Sequence, residues 1–123
     1  MLHVLEEEGI GSIAFSPLNK GILTDRYLNG IAADSRAAGP SVFMNPSELT
    51  EEVLAKVTKL NNLAVERGQK LSQMALAWTL RGNKVTSALI GASKVSQIED
   101  AVGAIHHLDF TDEELDRIER ILK

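Results

Sequence analysis

Only two short apolar runs in this sequence have the character of β-strands, residues 12–16 and 86–90, and they lie about 70 residues apart. Pro17, which has no N–H to give a sheet ladder, closes the first run. Two strands alone do not make a stable sheet in water. Either they pair inside a helix-rich α/β domain, or they belong to a sheet whose other strands lie outside these residues. Both runs lead into glycine-bearing loops that precede a helix, which is the order of parallel βα units. The second arrangement is therefore favoured.

The rest of the chain is dominated by helical periodicity. Residues 2–8 read as the last turns of a helix, with Gly9 as its stop. Val53, Leu54, Val57, Leu60 and Ala64 recur on one helical face, behind Thr50 as N-cap and ahead of Gly68. A second helix from about residue 72 carries Met74, Ala75 and Trp78 on its apolar side, which makes Trp78 a core residue rather than a stacking platform. A third places Ile98, Ala101, Val102 and Ile105 at helical spacing. The last opens with the capping box Thr111-Asp-Glu-Glu114 and bears Leu115, Ile118, Ile121 and Leu122. Residues 17–45 show no sustained period and are rich in Gly, Pro, Asn, Asp and Ser. A loop this long is either a surface insertion or functional.

Composition removes several classes of activity. With 123 residues, a net charge of −4 and no cysteine, the chain has no disulfide framework, Cys-ligated zinc or Cys nucleophile. The acidic balance gives no electrostatic footprint for nucleic acid or an anionic membrane surface. No apolar run approaches the roughly 20 residues of a membrane span. Glu6, Glu7 and Glu8 stand where a secretory signal would be basic and then apolar, so a cytoplasmic protein is expected. No metal cluster or catalytic carboxylate pair stands out. His3, His106 and His107 read as isolated from acids, and the lone Tyr27 has no Lys-Asp-His set around it in sequence.

Two segments do carry chemistry. In residues 89–100 a strand delivers Gly91, Ser93 and Lys94 to the start of a helix, whose free N–H groups and dipole favour an anion. Gln97 and Asp100 follow on its first turns, placed to meet polar atoms beyond a phosphate. In residues 15–27, Phe15 can stack on a flat ring, and the backbone from Ser16 to Gly21 can face a pyrophosphate. Arg26, and Arg36 further on, can pair with phosphates. Taken singly, each segment also fits an ordinary capped helix or a turn-rich loop.

Four stretches together resemble the C-terminal part of an aldo-keto reductase: AFSPLNKGILTDRY, GIAADSRAAG, RGQKLSQMALAWTLR and VTSALIGASKVSQIEDAVGAI. The likeness is to the branch that holds bacterial L-glyceraldehyde 3-phosphate reductases and voltage-gated potassium channel β-subunits. It implies an α/β fold, the C-terminal portion of a TIM (β/α)8 barrel, with two parallel strands near 12–15 and 87–90, several helices and an incomplete barrel. It also implies NADP(H), held by a loop near residues 15–40 and a phosphate-binding strand–helix unit near 89–105. By resemblance Phe15 stacks on the nicotinamide, and Ser16, Pro17, Leu18, Asn19 and Gly21 wrap the pyrophosphate. Arg26 and Arg36 contact phosphates. Gly91, Ser93 and Gln97 hold the 2′-phosphate side, and Asp100 lies near the adenine.

The resemblance further implies reduction of small aldehydes or ketones by hydride transfer. The family's catalytic Tyr, Lys, Asp and His come from the first half of the barrel, which no part of this sequence matches. This chain is thus expected to supply the cofactor cradle, with no catalytic residue, and to be inactive without its missing barrel half or a self-association partner. A nucleotide-binding or protein-interaction module lacking catalysis, or a non-functional fragment, stays open as the alternative. Members commonly have small residues where Asn19 and Lys20 stand, and Asn where Ala101 follows the acidic position.

Overall fold

A computed structural model of the chain describes residues 1–28 and 46–123. Helix α1 (Leu2–Glu7) stops at Gly9, whose φ of +66° suits a residue without a side chain. Strand β1 (Ile13–Phe15) lies parallel to β2 (Ser87–Leu89), with Ile13 opposite Ser87, Ala14 opposite Ala88 and Phe15 opposite Leu89. Ser12 anchors the start of this pair. Its carbonyl accepts from the N–H groups of Thr86 and Ser87 at 3.0 and 3.1 Å, and its own N–H donates to Thr86 Oγ1 at 2.9 Å.

Between the strands run α2 (Glu51–Glu66) and α3 (Leu71–Leu80); after them come α4 (Val95–Gly103) and α5 (Asp112–Leu122). Each α2 boundary has a local cause. Thr50 Oγ1 accepts from Val53 N at 3.2 Å at the start, and Gly68 turns to φ +72° just past the end. The capping box of α5 forms as its spacing predicts, Thr111 N donating to Glu114 Oε2 and Glu114 N to Thr111 Oγ1 at 3.0 and 3.1 Å.

Val57, Leu60, Leu63 and Ala64 of α2 meet Leu71 and Met74 of α3 and Ile118 of α5 in one apolar core. Trp78 is half-buried and packs against that core, with the Arg81 guanidinium 3.7 Å above its ring. The stretch after β1 departs from the surface insertion that its composition allows. It winds into 3-10 turns at Asn19–Gly21 and Asp25–Tyr27, and sends Ile22 and Tyr27 into the core. Its second half, including Arg36, lies outside the described residues.

The inner sheet face carries Ala14 and Ala88, half-buried where α3 lies against β2. The opposite face is open: Ile13 is 71%, Phe15 83% and Leu89 54% exposed. The apolar stripe expected on the third helix also forms, but Ile98, Val102 and Ile105 are exposed rather than packed. Among the described residues no helix is long and apolar enough to cross a membrane.

Candidate functional site

Because β1 and β2 are parallel neighbours, their C-terminal ends release two loops at the same end of the sheet, where (β/α) architectures place their ligands. The first loop is tightly wound. Ser16, Asn19 and Lys20 adopt φ of 55°, 47° and 60°, a region costly for residues with a side chain, and Gly21 takes φ 96°. Short bonds hold this conformation. Asn19 N donates to Ser16 O at 3.0 Å, Gly21 N to Leu18 O at 3.0 Å and Thr24 Oγ1 to Gly21 O at 2.6 Å. Only glycine, which lacks a Cβ, would relieve this strain at the positions of Asn19 and Lys20; here Lys20 pairs with Glu48 at 3.2 Å.

The second loop leads from β2 into α4. Gln97 reaches back so that its Oε1 accepts from Ser93 N, Lys94 N and Ser93 Oγ at 2.8, 3.2 and 3.3 Å. Three donors thus converge on one oxygen at the positive end of a helix. In the structure the Gln97 amide fills these donors as the cap of α4; helix N-terminal donors of this kind also suit an anionic oxygen.

Both loops line a cleft of about 730 Å³, together with α2, the α2–α3 turn, α3 and α4. Of the residues expected from sequence, Ser16, Pro17, Leu18, Gly21, Arg26, Gly91, Ser93, Gln97 and Asp100 line it. Phe15 and Asn19 do not; Phe15 projects from the open sheet face just before the cleft. The charge of the lining runs against that of the chain. Lys20, Arg26, Lys70 and Lys94 outnumber Asp25 and Asp100, so an acidic protein turns a cationic surface to this cleft.

Sequence reasoning passed over Lys70, Gln69 and Asn61, which complete the wall from the α2 side. Lys70 Nζ lies 2.7 Å from Asp100 Oδ2. The hydrogen bond that it donates to the Asp100 carboxylate holds this ammonium above its usual 10.5. A raised pKa stabilises the folded chain below the unfolded value, and that contribution disappears as pH rises through the folded value. The Lys70 ammonium should therefore titrate above 10.5. Asp100→Asn should move it down towards that value, as read by NMR of the lysine side chain; an unmoved titration would show that Asp100 is not the cause.

Behind this wall Arg67, buried against Phe110 with its guanidinium 3.8 Å from the ring centre, donates to Gln69 Oε1 at 3.0 Å and to Asp109 O at 3.0 Å. It also pairs with Glu114. His3 is less isolated than expected: its Nδ1 lies 3.2 Å from Glu7 Oε2 on α1, both side chains being exposed and neither lining the cleft. Tyr27 is 1% exposed and belongs to the core.

The parallel strand pair with both C-terminal loops at one cleft is the arrangement of neighbouring units in a (β/α)8 barrel, and residues 1–123 match the Aldo/keto reductase family throughout: the chain belongs to that family. Among its relatives, L-glyceraldehyde 3-phosphate reductase of Escherichia coli K12 is 46% identical over 123 residues. That match covers 98% of this chain and 36% of the relative. A Schizosaccharomyces pombe protein named for the voltage-gated potassium channel subunit beta is 37% identical over 126 residues, covering 99% and 37%. In structure the chain resembles a glycerol dehydrogenase from Gluconobacter oxydans, with a TM-score of 0.74, 27% identity, and coverage of 99% of this chain and 37% of that one. The chain spans little more than a third of the length of these relatives.

Proposed function

We propose that this chain forms the NADP(H)-binding part of a reductase that transfers hydride to small aldehydes or ketones. The observation that carries the reading is the cleft itself, with four cations in its lining and three donors converging on Gln97 Oε1. A phosphate-bearing nucleotide fits that donor set. Ser93 and Gln97 would hold one phosphate, while the wound backbone from Ser16 to Gly21 and Arg26 would face the pyrophosphate. Arg36, expected to contact a phosphate, lies outside the described residues. When bound, the nicotinamide supplies the hydride. Phe15, 83% exposed at the cleft's edge, offers the flat apolar surface on which such a ring stacks.

In this reading the exposed faces of β1, β2 and α4 pack against the remaining βα units, as apolar faces of barrel elements must. The proton donor for the carbonyl oxygen comes from those units, in keeping with the buried Tyr27 here. A cytoplasmic site of action belongs to the same proposal. The similarity to L-glyceraldehyde 3-phosphate reductase favours a phosphorylated triose or methylglyoxal as the carbonyl substrate.

The test is fluorescence titration of the purified protein with NADPH, with NADH in parallel. Saturable binding that Ser93→Ala weakens is expected, and so is the absence of aldehyde-dependent NADPH oxidation by these 123 residues alone. Failure to bind either nucleotide would refute the cradle.

A further inference from the structure

We propose that Lys70 reads the charge of the bound nucleotide: its ammonium is stored on Asp100 and released to the phosphate that Ser93 and Gln97 hold. This rests on the nucleotide-binding reading above and extends it to a residue outside the expected set.

The first observation is a residue type that its helix does not need. Lys70 is the N-cap of α3, with extended backbone at φ −73° and ψ 154°. An N-cap normally supplies a side-chain oxygen to the first N–H groups of its helix, and an ammonium has no acceptor to give. The satisfying group at this terminus comes from Gln73, whose Oε1 accepts from Lys70 N at 2.9 Å. The Lys70 side chain, released from any part in holding its own helix, crosses to α4 and meets Asp100 Oδ2 at 2.7 Å.

The second observation is that the crossing is not what holds the two helices together. Gln73 Nε2 donates to Asp100 O at 2.9 Å, binding backbone to side chain across the same gap. The helices approach so closely there that a Cβ on Gly103 would lie 2.7 Å from that Nε2. Lys70 can therefore exchange partners without parting α3 from α4. The ion pair itself is solvent-accessible, with side chains 61% and 36% exposed, and so is weak and readily exchanged.

The third observation is position. Lys70, Ser93, Gln97 and Asp100 line one cleft. Asp100 follows Gln97 by three residues on α4, which puts the two on one helical face with Lys70 above it. A phosphate monoester, close to dianionic at neutral pH, attracts an ammonium more strongly than a single carboxylate does. Once a phosphate oxygen takes the place of Gln97 Oε1 at the three donors, with Gln97 turning its Nε2 to donate to it, the phosphate offers Lys70 that stronger partner. A nucleotide without this phosphate leaves Lys70 on Asp100.

The decisive comparison is NADPH against NADH, titrated into the wild type, Lys70→Ser and Lys70→Arg. Serine is a favourable N-cap, so the first variant removes the cation without weakening α3. Lys70→Ser should lower affinity for NADPH about tenfold, leave NADH unchanged and flatten the salt dependence of NADPH binding. Lys70→Arg should retain most of the preference. Equal losses for both nucleotides, or no loss for either, would overturn the role of Lys70 while leaving the cleft a nucleotide site. A wild type that binds neither nucleotide would overturn the cleft's assignment and this role with it.

Discussion

Replacing Arg67 with Met should destabilise the fold by about 3–5 kcal/mol, the range for leaving a buried charge network without one partner. The side chain is 1% exposed and serves four acceptors: Glu114, Gln69 Oε1, His107 O at 3.3 Å and Asp109 O at 3.0 Å. Methionine matches its stem, so little packing is lost. The loss comes from stranding the Asp109 carbonyl and from leaving without its cation a carboxylate that is itself only 21% exposed. Lysine should rescue little, because a single ammonium cannot reproduce the planar fork or its stacking on Phe110. Urea denaturation monitored at the lone Trp78 gives the number. A change below about 1 kcal/mol would show the network to be incidental. Gln69 lines the cleft and leans on this network, donating to His107 O at 3.0 Å, so the same variant should also loosen the α2-side wall.

Tyr27→Ala should cost a similar amount, about 3–5 kcal/mol, by emptying an aromatic-sized volume from the core. Tyr27 is among the largest fully buried side chains, and its ring stands 3.9 Å from where a Cβ on Gly21 would be. Thr24, Asp25 and Arg26 line the cleft immediately before it, so the ring is the peg that fixes this loop to the core. Loss of nucleotide affinity should accompany loss of stability, because three positive-φ residues upstream keep their strained conformation only while the loop is pinned. Thermal unfolding that matches the wild type would show that the loop does not depend on this peg.

The elements themselves were largely legible in the residues. Thr50, Gly68, Thr111 and Gly9 mark helix ends where the structure has them, since capping is decided by a few adjacent residues. Tyr27 and Ile22 were not legible as core, because 3-10 turns only three residues long carry no periodicity to read. The cleft was half legible. Ser93 and Gln97 lie within one turn of each other, whereas Lys70 reaches Asp100 across 30 residues and Arg67 reaches Glu114 across 47. Pairings at such distances are made by the packing of helices. The exposed Ile98, Val102 and Ile105 show the converse: a face can be read from spacing and still be left uncovered among the described residues.

The hydrogen bond between Ser12 and Thr86 joins positions 74 apart in sequence. Closing so long a loop has an entropic cost that must be met before the strand pair contributes anything. The α2–α3 hairpin, whose contacts are local, can form well before that closure. The cleft cannot, because its two walls hang from the two strands. On the proposed function, nucleotide binding should therefore be gained late in folding, and a ligand bridging both loops should act as a reversible cross-link, slowing the chain's unfolding by holding shut the contact that closes the longest loop.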